Sequence, residues 1–229
     1  SFDTKKRLLM NGVDVSTRYA MRSREMYQRY ATYIFRVVKA KMGNYLIFFP
    51  SYRFMEDVYQ EFTQLLASDE EEMELVIQQK HMDEEERENF LRAFEMGREK
   101  SLIGFGVLGG IFSEGIDLTN EKLIGTLIIG TGLPQVCNER EILKSYFDQK
   151  GLYGFDYAYR YPGMNKVLQA AGRVIRTEDD RGVILLLDER FQREKGKEIF
   201  PKEWADCERC RLDIVEEKIR LFWEKQTDN

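Results

Sequence analysis

The sequence holds one histidine and three cysteines in 229 residues, and no low-complexity tract. No apolar run approaches the roughly 20 residues a membrane-crossing helix needs, and no secretory leader is visible, so the expectation is a soluble, cytoplasmic chain with no membrane partner. Cys137, Cys207 and Cys210 are too few for a disulfide framework in a domain this size, which fits a reducing compartment. The pair Cys207-Glu208-Arg209-Cys210 offers two soft ligands where zinc normally takes four, with no nearby Cys or His to complete the set. On a helix those cysteines share a face and read as two reduced residues, so no metal site is expected. His81, a lone imidazole between two elements, reads as a surface residue and not a catalytic base. Neither Gly-x-x-x-x-Gly-Lys-Ser/Thr nor Asp-Glu-x-His occurs, so the chain by itself neither cradles the phosphates of a nucleoside triphosphate nor binds their magnesium.

What is present suffices for a core: 43% of residues are hydrophobic and 33% charged. The length allows one large domain or two small ones, and one domain over 1–229 is favoured. Net charge is −5, but its distribution matters more than its sign. Arg18, Arg22, Arg24, Arg29, Arg36, Lys39 and Lys41 face only Glu25, while acids gather at 69–74 and 83–88. The basic segment is either a nucleic-acid surface or a solvated helix face.

Hydrophobic spacing predicts a helix over about 22–41 and another from Phe54 to Leu66. Short apolar runs at 45–49, 74–77, 102–108, 126–129 and 183–187 read as strands, with helices over 83–96 and 138–149. A closing helix is expected over 207–225. Alternation of this kind gives an α/β fold, a mainly parallel sheet covered by helices on both faces.

Three stretches carry chemistry. In Gln169-Ala170-Ala171-Gly172-Arg173-Val174-Ile175-Arg176, a helix would place Gln169, Gly172, Arg173 and Arg176 on one narrow face. Two guanidiniums about a turn apart can approach a polyphosphate together, and Gly172 lets that ligand or a facing lobe come close; the alternative is a solvated face. Asn165 is expected to cap this helix, with Pro162-Gly163 turning before it. From Gly109 to Asp117 a strand-exit loop holds three glycines whose amides can meet an anion. Ser113 and those amides suit DNA phosphates; Glu114 and Asp117 suit arginine orientation, a ribose hydroxyl or the shape of the loop. Ser51, at a strand exit, either contacts nucleic acid or caps its own helix. The aromatics of 153–161 either stack bases or pack a loop.

The octapeptide at 169–176 resembles motif VI of superfamily 2 helicases, and Phe112-Ser113-Glu114-Gly115-Ile116-Asp117-Leu118 resembles motif V of their XPD/DinG branch. Asp14-Val15-Ser16-Thr17-Arg18-Tyr19 with Arg22, Phe48-Phe49-Pro50-Ser51-Tyr52, Gly130-Thr131-Gly132-Leu133-Pro134 and Tyr161-Pro162-Gly163-Met164-Asn165-Lys166 are similar to family segments in matching order. The resemblance implies a RecA-like lobe, the C-terminal one of two, in an ATP-dependent 5′-to-3′ DNA helicase of repair or replication. It implies Arg173, Arg176 and Gln169 as catalytic groups and Gly172, Glu114 and Asp117 toward the nucleotide. Ser51, Ser113, Gly115 and Arg18 would lie toward single-stranded DNA. ATP and Mg2+ would be held by the N-terminal lobe of the same polypeptide, where an iron–sulfur cluster is also expected in such relatives, and none by this chain alone. Ile111 departs from the family, which often has a basic residue there. The start at Ser1 suggests an excised fragment, expected to be inactive alone. A non-catalytic nucleic-acid or protein-binding adaptor on a decayed lobe is the alternative, and RNA as substrate stays open.

Overall fold

The computed structural model describes residues 4–69, 72–95, 99–113, 123–175, 180–192 and 199–227. Seven strands form one sheet: β1 (Arg7–Gly12), β2 (Asn44–Phe49), β3 (Met73–Ile77), β4 (Ser101–Val107), β5 (Gly125–Ile129), β6 (Gly182–Leu187) and β7 (Glu208–Cys210). Their order is β3-β4-β2-β5-β6-β1-β7, and each pairing is parallel. The helices are α1 (Arg24–Ala40), α2 (Tyr52–Ala67), α3 (Glu84–Arg92), α4 (Asn138–Gln149), α5 (Tyr161–Ala171) and α6 (Val215–Thr227).

The five apolar runs become β2 to β6, because a strand buried on both faces needs apolar side chains in both directions; β2, β5 and β6 are buried at every position. One face packs against α1, α2 and α6, with Ile34, Val38, Phe54, Phe62, Ile219 and Phe105 in its core. The other meets α3 and α5 through Phe90, Val167, Ala170, Ile128 and Leu186. The fold is therefore α/β with helices on both faces, a RecA-like lobe as expected.

Two strands escape the sequence reading. In β1 only three consecutive residues, Leu8, Leu9 and Met10, are apolar, and β7 is the tripeptide Glu-Arg-Cys. Both exist through pairing, β1 between β6 and β7 and β7 against β1. The helix expected from residue 207 begins only at Val215. Cys207 consequently precedes a strand and Cys210 ends it, so they do not share a helix face: Cys210 packs in the α1 side core and Cys207 against the other. Burial pushes the Cys210 thiol up to about 12, so it stays protonated and inert. The Pro162-Gly163 turn is also absent. A π-helical segment, Asp156–Arg160, runs straight into α5, so Pro162 lies within a continuous helical run, where its missing N–H leaves one bond unmade beside the widened π turn, and Asn165 is interior and caps nothing.

The basic residues of α1 are committed within the fold. Arg24 pairs with Glu61 at 2.8 Å, Arg29 with Asp14, and Lys39 with Asp69 at 3.4 Å. Arg36 donates to the Leu212 carbonyl at 2.6 Å, and Lys41 lies 5.6 Å from the Trp223 ring centroid. These contacts fasten α1 to its neighbours.

Strand exits pack by direct backbone contact. Gly132 has φ +68°, and a Cβ there would stand 2.5 Å from the Gly163 carbonyl oxygen, while one on Gly163 would stand 2.8 Å from the Thr131 oxygen. Gly132→Ala is expected to lower unfolding free energy by about 1–3 kcal/mol through the left-handed backbone alone. A urea midpoint shift with unchanged slope measures it; an unchanged midpoint would mean the approach relaxes freely.

Candidate functional site

All strands run the same way, so all their carboxyl ends lie on one edge. The connection leaving β2 runs to one side, out to the edge strand β3, and that leaving β5 runs to the other, to β6, which makes the β2–β5 boundary a topological switch point. Open α/β sheets bind ligands in the crevice outside such a boundary. Here it is flanked by Pro50-Ser51 and by Gly130 to Gly132, and a Cβ on Gly130 (φ +88°) would meet Thr17 Oγ1 at 3.2 Å and Pro50 Cβ at 3.5 Å. Exits of β1, β2 and β5 thus converge within van der Waals reach.

Ser51 is the N-cap of α2: its Oγ accepts from the Phe54 N–H at 3.3 Å, so the capping role is the one built here. The cap uses an oxygen lone pair and leaves the hydroxyl proton able to donate outward.

Asp188, at the exit of β6, is fully buried. It accepts from the Thr17 N–H at 3.0 Å and hydroxyl at 2.7 Å, and Arg190 reaches it through Nε and Nη2, both at 2.8 Å. Burial raises the Asp188 carboxyl, but the hydrogen bonds and charge of Arg190 and the bond from Thr17 outweigh it and hold it below the ordinary value. Arg18 follows Thr17, half-exposed, 3.3 Å from Glu189. Asp14 is held in the same manner: burial raises it, while Tyr33, Arg29 and the Leu212 N–H at 3.2 Å lower it further.

Arg173 does not lie on a helix. α5 ends at Ala171, Gly172 is the exposed C-cap with its N–H on the Leu168 carbonyl at 2.9 Å, and the chain continues in tighter turns, the Arg173 and Val174 N–H groups donating to the Ala170 and Ala171 carbonyls at 3.2 and 3.3 Å. Gln169 remains on α5, exposed. The α-helix expected through 176 therefore ends before Arg173. The half-buried Arg173 side chain crosses to the loop after β4, where Nε at 3.2 Å and Nη2 at 2.9 Å both donate to the Ser113 carbonyl. Ser113 is itself fully buried, its hydroxyl donating to the Gly110 carbonyl at 2.8 Å. Where a phosphate contact is expected of this hydroxyl, it is turned inward, and the residue serves as an anchor for Arg173. Arg176, Glu114, Gly115 and Asp117 lie outside the described residues.

Sequence reasoning missed Asp188 and Arg190. Asp-x-Arg beyond an apolar strand is the signal, and its partner Thr17 is 171 residues away in the chain. Lys166 was present only within a family segment; here it lies over Gly109 (φ +75°), where a Cβ would stand 3.1 Å from its Nζ. Among the described residues no group of three or more His, Cys, Asp or Glu could hold a metal ion, and no helix is long and apolar enough to cross a membrane.

Both carboxylates are depressed on folding, so their contribution to stability is full above the unfolded value and drains as pH falls through the lower folded one. Stability is expected to fall as pH drops below about 4, and Asp188→Asn should lose part of that pH dependence. Urea unfolding between neutral and acid pH checks it; identical slopes for the two proteins would sink the assignment.

Residues 34–207 match the model of the helicase C-terminal domain family. Over 187 residues the chain is 30% identical to the ATP-dependent DNA helicase XPD of Sulfolobus acidocaldarius, covering 79% of this chain and 31% of that protein. Over 196 residues it is 28% identical to the general transcription and DNA repair factor IIH helicase subunit XPD/RAD3 of Saccharomyces cerevisiae, covering 81% and 24%. It thus spans about a third or less of the curated relatives it matches. A solved apo XPD structure superposes with a TM-score of 0.71 at 24% identity, over 90% of this chain and 40% of that one, a likeness of fold. With motif V-like and motif VI-like segments meeting at Arg173 and Ser113, the chain belongs to the helicase C-terminal domain family, as a C-terminal lobe of the XPD/DinG type.

Proposed function

We propose that this chain is the second motor lobe of an ATP-dependent DNA helicase that moves 5′ to 3′ along single-stranded DNA in repair or replication. The observation that supports it most is the double hydrogen bond from Arg173 to the Ser113 carbonyl. Two donors on one oxygen fix the plane of the guanidinium, so the side chain and the β4 exit move together.

In this reading ATP and Mg2+ belong to an N-terminal lobe of the same polypeptide, as does any iron–sulfur cluster. When that lobe brings ATP to the carboxyl edge, Arg173 and Arg176 stabilise charge growing on the transferred phosphoryl group, and Gln169 orients the attacking water. Gly172 lacks a side chain where the lobes meet, and Glu114 and Asp117 orient the arginines or take a ribose hydroxyl. On the strand side, the Ser51 hydroxyl donates to a phosphate, Arg18 supplies positive charge, and Gly115 admits the backbone closely. Loss of the γ-phosphate releases Arg173, and through Ser113 that release shifts the strand-holding loop.

In a polypeptide carrying both lobes, Arg173→Ala is expected to lower ATP turnover by about 10³-fold or more while leaving single-strand binding nearly intact. Steady-state hydrolysis and fluorescence anisotropy measure the two, and parallel loss of both would overturn the assignment. ATP hydrolysis by the 229-residue chain alone would equally contradict the division of labour.

A further inference from the structure

At the outer end of the carboxyl edge, between the start of α2 and the β3–α3 connection, lies a cavity of about 390 Å³. Small-ligand sites span about 300–1,000 Å³. Its walls are of two kinds: Tyr52, Met82 and Ile111 give ring, thioether and aliphatic surface, and Lys80 and Arg87 give positive charge. Gln78, 2% exposed, is wedged behind them. Its Nε2 donates to the Tyr52 hydroxyl at 2.8 Å, and its Oε1 accepts from the Val107 N–H at 2.9 Å. The Tyr52 hydroxyl donates onward to the Gln79 carbonyl at 3.4 Å. The tyrosine ring is thus fixed before any ligand arrives.

The cations are less committed. Arg87 Nε is shielded from solvent and has no hydrogen-bond partner. A buried N–H of this kind rarely lacks an acceptor. Glu84 makes an exposed i,i+3 ion pair with another nitrogen of the same guanidinium at 3.9 Å, too long for a hydrogen bond. Asp83, the acid on the cavity wall, is occupied in the capping box of α3: it accepts from the Glu86 N–H at 2.9 Å, and Glu86 accepts from the Asp83 N–H at 2.9 Å. Lys80 makes no ion pair among the described residues.

We infer that this cavity is a nucleotide subsite for the strand bound along the carboxyl edge: one base turns in against Tyr52, Met82 and Ile111 while its phosphate accepts from Arg87 and Lys80. The inference rests on the proposed single-strand contact, since Tyr52 directly follows Ser51 and Ile111 lies in the loop after β4. An apolar wall with a fixed aromatic ring takes any base, and an unfilled cationic donor beside it asks for an anion; a linked nucleotide supplies both. This gives Ile111, which departs from the basic residue common in the family, a role in base contact.

The test is anisotropy titration of the chain with a labelled oligothymidylate of about 15 nucleotides, near the upper range of single-strand site sizes, with thymidine 5′-monophosphate as competitor. Arg87→Ala and Lys80→Ala should each weaken binding by about tenfold and flatten the salt dependence by about 0.7 in log–log slope. Tyr52→Leu should weaken it by about tenfold with little change of slope, and circular dichroism should show all three variants folded. If the oligonucleotide binds and the variants match the parent in affinity and slope, the subsite is wrong while the proposed function stands. If the parent chain does not bind the oligonucleotide, the strand contact itself fails. Arg87-dependent binding of the monophosphate, with oligonucleotide affinity untouched by any variant, would make this a free-nucleotide pocket and overturn the strand assignment.

Discussion

Parallel pairing of all seven strands is the constraint on which everything else in this lobe depends. Strands that run the same way must be joined by crossovers, and the crossovers place helices on both faces. The same direction gathers every strand exit on one edge. Chain segments far apart in sequence meet there because they have nowhere else to emerge: Thr17, Ser51, Ser113, Gly130 and Asp188 all follow a strand. The ladder even continues past the strands, with the Leu108 N–H on the Phe49 carbonyl at 2.8 Å and the Glu189 N–H on the Val15 carbonyl at 2.8 Å.

An edge built of loops needs something to hold its shape, and buried charge does this work. Asp188 is removed from water, a state tolerable only because Arg190 and Thr17 satisfy it, and the satisfied carboxylate locks the β6 exit to the β1 exit. Breaking such a pair is far more costly than never having built it. Arg173 follows the same logic with a softer partner. Its guanidinium donates twice to the Ser113 carbonyl, which fixes its direction. For the basic residues of α1, carboxylate and carbonyl partners likewise turn a conspicuous run of positive charge into fasteners.

Much of the lobe was legible before its structure. The runs at β2, β4, β5 and β6 announce themselves because central strands must be apolar on both sides, the edge strand β3 still carries a short apolar run, and α4 begins and ends where its sequence pattern does. The family segments were legible as well, since Gly130 to Pro134 and 169–173 keep their order and composition. Elements that depend on partners were illegible. β7 has no intrinsic reason to be a strand, and the arginine at 173 looks helical by spacing until Gly172 is seen to close α5. The cavity beside Tyr52 was equally hidden, because Gln78, Tyr52 and Arg87 become neighbours only when β3 and β4 pair.

By itself, the sequence determined an α/β lobe with helices on both faces, the positions of β2 to β6 and most of its helices, and the lack of a phosphate-cradling loop. These follow from local rules: periodicity reports burial, and a missing motif cannot be supplied by folding. The tertiary structure decided which polar groups meet. It gave Asp188 to Thr17, the Ser113 carbonyl to Arg173 and no acceptor to the Arg87 Nε. Hydrogen bonds act over about 3 Å, and a distance that short between residues far apart in the chain is set by the packing of the whole sheet, which no local pattern encodes.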